Sequence, residues 1–142
     1  MCGLILVGAM APAVGQAKRA PQELADPPAI PVAAGITQDQ ARRAIHAAAD
    51  KHGWVISQES PGHSLASVTS GEHVVTVDIA YETRLISINY ADSQNMDYGL
   101  RHNVRYIHPK YNKWTHTLWQ DISEQIALAH KPPQPAVTPK KK

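Results

Sequence analysis

The amino-acid sequence predicts an α+β domain: a two-layer sandwich in which an N-terminal and a C-terminal helix pack on one face of an antiparallel meander sheet of three to four strands. Three observations predict this order of elements, α-β-β-β-β-α. Apolar residues recur at helical spacing near both ends of the central region, alternating patterns fill the interval, and short turns separate those patterns. Short turns favour antiparallel neighbours, and helices flanking such a sheet are typical of this class.

The first helix has a clear start and a clear end. Thr37 can cap it, Gln40 follows three residues later as in a capping box, and Gly53 is the expected stop. Its predicted buried face is rich in alanine, which lets a helix lie close to a sheet, and comprises Ala41, Ala44, Ile45, Ala48 and Ala49.

Four strands follow, at about 54–58, 63–69, 73–81 and 86–90, and the first turn between them is Pro61-Gly62. The inward positions are predicted from period-two alternation. They are Trp54, Ile56 and Gln58, then Ser64, Ala66 and Val68, then His73, Val75, Val77, Ile79 and Tyr81, and finally Ile86, Ile88 and Tyr90. The opposite face of the sheet is expected to be exposed to water and to carry polar residues: Ser57, Ser67, Thr76, Asp78, Ser87 and Asn89.

The last helix is predicted over about 109–129. Pro109 is tolerated in its first turn, and Pro132-Pro133 ends it. The predicted buried stripe is Tyr111, Trp114, Leu118, Ile122, Ile126 and Ala129.

The two ends of the chain differ from this central region. Residues 1–17 are predicted to be a signal peptide, because Leu4 to Ala13 is an apolar run of the right length, although no Lys or Arg precedes it. A buried helix is the alternative. Residues 18–35 are a predicted Pro/Ala-rich, poorly packed linker, 36–130 a single α+β domain, and 131–142 a disordered Pro/Lys-rich tail.

Composition limits the partners. Cys2 is the only cysteine, so no intramolecular disulfide can form. The net charge of +2 does not predict nucleic-acid binding. We expect a periplasmic or secreted protein without a transmembrane span in its mature form, whose partner is an envelope component or another protein. Association with a membrane surface is left open.

The segment 91–114 is the candidate site. It contains a connector, 91–108, that is longer than most loops, and it is rich in aromatic, amide and basic groups. A carboxylate, phosphate or sugar-acid ligand fits this charge and the open N–H groups of a helix start. The alternative is that His108 and Asn112 only cap the helix while the aromatic residues lock the loop. The candidate ligand-binding residues are Ser93, Asn95, Tyr98, Arg101, Arg105, His108, Tyr111, Asn112 and Trp114.

Neither a metal site nor catalysis is predicted. His102, His108 and His116 form the densest group of the eight histidines, yet their spacing matches no zinc signature. Ser93 lacks the sequence context of a catalytic nucleophile. We therefore expect no cofactor, no metal and no enzymatic activity.

Several short motifs between residues 44 and 122 resemble those of small bacterial lipoproteins or periplasmic proteins that have no assigned function. They are Gly53-Trp54, Pro61-Gly62 with Ala66, His73, Ile79-x-Tyr81, Ile88-x-Tyr90, Ser93-x-x-Met96-x-Tyr98 and Ile107-His108-x-x-Tyr111-Asn112-x-Trp114. The resemblance implies a signal peptide before one small α+β domain. The chain departs from it in two ways: no cysteine follows the apolar run, and the loop over 99–106 is longer.

The sequence thus favours a non-catalytic binding or interaction domain of the cell envelope. A purely structural envelope protein is the alternative, and a small metal-binding protein or hydrolase is the third hypothesis.

Overall fold

The structure, a computed structural model, describes residues 20–82 and 84–130 and confirms the α+β class. The predicted signal peptide and the predicted tail lie outside these residues. The elements in chain order are β1 (Gln22–Glu23), β2 (Ile30–Pro31), α1 (Gln38–Lys51), β3 (Val55–Ser60), β4 (His63–Ser70), β5 (His73–Ala80), β6 (Leu85–Gln94), β7 (Gly99–Arg101), β8 (Val104–Ile107) and α2 (Pro109–His130).

The strands form two antiparallel sheets rather than the one predicted. The larger sheet has the order β2-β6-β5-β4-β3, so the predicted meander is present and β2 extends it at one edge. The smaller sheet has the order β1-β8-β7. The prediction of a single sheet of three to four strands was therefore too simple.

Helix α1 begins as predicted. The Thr37 hydroxyl accepts the Gln40 N–H at 3.1 Å, and the Gln40 side chain accepts the Thr37 N–H at 2.8 Å. All five predicted inward residues of this helix are buried. The capping box sets the start of the helix, and its alanine face joins the core.

A bulge changes one predicted face of the larger sheet. Ile56 pairs with Ala66, but Gln58 pairs with Leu65, and the register shifts between the two pairs. Since Ala66 and Leu65 point to opposite faces, Gln58 does not share the face of Ile56 as predicted.

One core cluster joins both helices to the inward strand residues, which include Val75, Val77 and Ile79 of β5. The buried stripe of α2 differs from the prediction at two positions, since Trp114 is half-buried and Ala129 is exposed. Thr115 is buried instead, and its hydroxyl donates to the Tyr111 carbonyl at 2.9 Å. That bond satisfies the polar group within the helix itself.

The segment predicted as a linker packs on the domain over its described part. Strand β1 pairs with β8, β2 pairs with β6, and Leu24 and Ile30 are buried in the core cluster. Residues 20–35 are therefore an integral part of the fold, in contrast to the poorly packed linker expected from their proline content.

The connector 91–108, which was predicted to be an unusually long loop, contains strands. Strand β6 continues to Gln94, and β7 and β8 form a hairpin whose turn residues, His102 and Asn103, have φ angles of +51° and +66°. Asparagine is among the residues that adopt this conformation most readily. Within the described ranges, no helix has the length and apolar character needed to cross a membrane.

Candidate functional site

Six of the nine predicted site residues lie in three places, and the other three, Asn95, Arg101 and His108, contact the protein separately. Four polar side chains connect the N-terminal segment to β8 and α2. This set, called the N-terminal anchor, consists of Asp26, Arg105, Tyr111 and Asn112. Ser93 and Tyr98 lie with Tyr90 on a surface called the tyrosine shelf. Trp114 lines a third place, called the tryptophan groove, with His52, Trp54, Val68, Thr69, Ser70, Lys113 and Thr117.

Asn112 binds backbone groups in and just after β1. Its Oδ1 accepts the Ala25 N–H at 3.0 Å, and its Nδ2 donates to the Glu23 carbonyl at 2.9 Å. The side-chain amide thereby pairs with one donor and one acceptor of the N-terminal segment. Both of its functional groups are used inside the protein, so Asn112 stabilises the fold.

Tyr111 completes the anchor from the same helix. Its ring is fully buried, and its hydroxyl donates to Asp26 Oδ1 at 2.7 Å. Arg105 Nη2 donates to the other oxygen of Asp26 at 3.1 Å. Burial, together with the neighbouring Asp26 carboxylate, raises the pKa of Tyr111 far above its ordinary value, so the hydroxyl keeps its proton and remains a donor.

The start of α2 is occupied by His108. Its Nδ1 accepts the Lys110 N–H at 3.1 Å, its carbonyl accepts the Tyr111 N–H at 3.0 Å, and its own N–H donates to the Met96 carbonyl at 2.7 Å. Pro109 has no N–H to offer. The open donors on which the predicted helix-start anion site rested are thus in use at Lys110 and Tyr111. This agrees with the capping alternative for His108 but not for Asn112, whose amide binds the N-terminal segment.

The tyrosine shelf is an aromatic stack. The rings of Tyr98 and Tyr90 lie 4.3 Å apart at 14°, and the Tyr90 hydroxyl is 2.8 Å from the Ser93 hydroxyl. Tyr98 remains 41% exposed. The surrounding cleft is bordered by Asp92 and Asp97, so its charge does not favour an anion.

Asn95 and Arg101 also contact the protein itself. The Asn95 amide donates to the Glu72 carbonyl at 2.8 Å, and the Asn95 carbonyl accepts from His73 Nδ1 at 2.7 Å. The Arg101 guanidinium lies 5.3 Å from the centre of the Tyr106 ring. Asn95 therefore fixes a turn, while Arg101 lies on the exposed hairpin.

The tryptophan groove combines apolar walls with polar groups at its edge, in a volume of about 410 Å³. Three segments form it: the turn after α1, the end of β4 and the first half of α2. Trp54 is 3% exposed, whereas Trp114 is half-buried and offers part of its indole surface. Small-molecule sites have this combination and size, roughly 300–1,000 Å³.

The position of His52 in this groove is set by a buried carboxylate. Asp121, which is 8% exposed, contacts His52 Nε2 and also lies 3.1 Å from Lys51 Nζ. Its hydrogen bond raises the pKa of Lys51. Lys51 compensates the charge of Asp121 and the His52 ring binds its other oxygen, so this carboxylate already has partners inside the protein.

Two further ionic clusters lie away from the predicted site. His46 contacts Glu59, whose pKa it lowers, and His63 lies between Asp78 and Glu82, with Asp78 raising its pKa. Among the residues the structure describes, no group of three or more His, Cys, Asp or Glu side chains could hold a metal ion.

The sequence prediction included Trp114 but missed His52, Trp54 and Lys113. The Gly53-Trp54 motif was a usable signal, since a tryptophan beside a helix end is well placed to line a cleft. Nothing in the sequence pattern links that motif to Trp114, which lies sixty positions later.

No protein-family model, no curated protein and no solved structure matches this chain.

Proposed function

We propose that the protein is a non-catalytic binding domain of the cell envelope, periplasmic or secreted, that holds an anionic envelope component in the tryptophan groove. The groove itself is the observation that carries the proposal. It is the place where a predicted site residue, Trp114, borders a concave surface together with a lysine. The proposal assigns no catalytic residue, cofactor or metal.

Elimination within the predicted segment supports this choice. Arg105, Tyr111 and Asn112 bind the N-terminal segment, and His108 caps α2. These groups already have partners inside the protein, so a ligand would have to displace them. Lys113 forms no ion pair with a described residue, and the indole of Trp114 contacts the Lys110 ammonium, which lies 5.9 Å from the centre of the ring.

The export part of the proposal rests on the apolar run Leu4 to Ala13 and on the resemblance to small periplasmic proteins. A purely structural envelope protein is the second candidate. The N-terminal anchor favours this second candidate. Its residues Arg105, Tyr111 and Asn112 were predicted to bind a ligand, and they bind the protein's own N-terminal segment.

An NMR titration of the full chain separates the two candidates. The probes are soluble peptidoglycan fragments and glycerol phosphate, and the amides of 52–54, 68–70 and 113–117 are followed. Shifts in these three segments, with the shelf amides of 90–98 unchanged, would support a binding domain. Shifts on the shelf alone, or none with any probe, would contradict the proposal.

A further inference from the structure

We propose that the ligand of the tryptophan groove is a sugar acid, whose ring packs on Trp114 and whose carboxylate lies at Lys113. This inference rests on the proposed function and narrows it from an anionic envelope component to one chemical class.

The aromatic walls favour a sugar ring. The C–H face of a pyranose is apolar, and packing it on an indole removes apolar surface of both partners from water. Trp114 is half-buried and has indole surface available, with the Lys110 ammonium 5.9 Å from the centre of its ring, while Trp54 is 3% exposed and supports the groove from within. A simple inorganic anion would gain nothing from these walls.

Hydroxyl groups at the edge of the groove match those of a sugar. Thr69 and Ser70 line it from the end of β4, and neither side chain hydrogen-bonds to another residue in the described part of the chain. Thr117 donates its hydroxyl proton to the Lys113 carbonyl at 3.0 Å, which leaves its oxygen able to accept. The groove therefore offers both donors and acceptors to ligand hydroxyls.

The charge of the lining favours one carboxylate. Among the described residues that line the groove, His52 and Lys113 are ionisable and none is Asp or Glu. Lys113 forms no ion pair with any residue in 20–82 or 84–130. The nearby Asp121 carboxylate is paired with Lys51 and also binds the His52 ring. An ammonium without an acidic partner forms a charge-assisted hydrogen bond with a ligand carboxylate.

The test is a titration of the full-length protein with D-glucuronic acid, followed by ¹⁵N NMR. D-glucose is the matched probe without the carboxylate, acetate is the matched probe without the ring, and glucose 1-phosphate replaces the carboxylate with a phosphate. The indole N–H signals of Trp54 and Trp114 should shift with glucuronic acid. The indole signal of Trp119 is an internal control, because that N–H donates to the Pro28 carbonyl at 2.8 Å, outside the groove.

We expect glucuronic acid to bind at least about tenfold more tightly than glucose or acetate, since the carboxylate and the ring each contribute about 1.4 kcal/mol or more. Lys113→Gln should remove the preference over glucose. Arg84→Gln, which deletes an exposed charge outside the groove, should retain it. Trp114→Phe should weaken both sugars, and circular dichroism checks that each variant is folded.

Three results would overturn the inference: equal affinity for glucose and glucuronic acid, tighter binding of glucose 1-phosphate, or groove shifts with acetate alone. In the last two cases the groove still binds an anion, and the proposed function survives. If peptidoglycan fragments, glycerol phosphate and all four of these probes leave the groove signals unchanged, both proposals fail together.

Discussion

Replacing Tyr111 with phenylalanine is expected to destabilise the protein by about 1.5 kcal/mol. The hydroxyl is fully buried and donates to Asp26 Oδ1 at 2.7 Å. Hydrogen bonds to charged groups contribute roughly 1.5–3 kcal/mol. The side chain of Asp26 is 21% exposed and also accepts from Arg105, so water and the guanidinium replace part of the lost interaction. The lower end of the range therefore applies.

Urea unfolding followed by circular dichroism measures this change. Tyr111→Phe keeps the ring and its edge contact with Tyr90, at 5.7 Å between centres, so the transition should move to lower urea without a change in slope. Tyr98→Phe is the matched control. Tyr98 is 41% exposed, and its hydroxyl has no partner in the described residues, so its removal should cost less than about 0.5 kcal/mol.

The same result from both variants would refute the reasoning, because it would mean that the bond to Asp26 adds nothing beyond an exposed hydroxyl. A double-mutant cycle with Asp26→Ala isolates the pair, and a coupling free energy near zero would lead to the same conclusion.

Three further predictions follow from single contacts. Gly62→Ala should destabilise the protein by about 1–2 kcal/mol in thermal unfolding, because φ is +81° and the new Cβ would overlap the Glu82 side chain. Gly71→Ala should destabilise the protein less, because the space around Gly71 is open. Asn112→Ala should destabilise by about 1–3 kcal/mol and speed amide exchange in β1, whereas unchanged exchange would contradict its anchoring role. The Asp78 carboxylate raises the pKa of His63, so this pair stabilises the fold at pH values below the ordinary histidine pKa. The stabilisation is lost as pH rises through the raised pKa. Asp78→Asn should lower the pKa of His63 in an NMR titration, and an unchanged pKa would contradict the assignment.

Local signals account for the parts of the fold that were predicted correctly. The capping box of α1 involves residues three positions apart, and the alternation of β5 extends over eight residues. Both patterns depend on neighbours in sequence, so no knowledge of the tertiary structure is needed to recognise them. The antiparallel meander from β3 to β6 follows from the short turns for the same reason.

The second sheet could not be predicted because its strands are too short to show a period. Strands β1 and β2 have two residues each and β7 has three. What orders β1 is its pairing with β8 and the amide of Asn112, almost ninety positions away. A proline-rich composition predicts the behaviour of an isolated segment, and it misses such long-range partners.

The candidate site shows the same division between local and distant information. A density of amides, tyrosines and arginines indicates many hydrogen bonds, but it does not say whether the partner is a ligand or the protein's own backbone. For Asn112, Tyr111 and Arg105 the partner is the N-terminal segment. Lys113 and Trp114 lie on the same helix, yet they border a groove completed by residues from two distant segments. A binding surface is therefore best sought at polar and aromatic groups that the fold does not use for its own hydrogen bonds. In this protein that criterion favours the C-terminal end of the predicted segment, where Lys113 and Trp114 border the tryptophan groove.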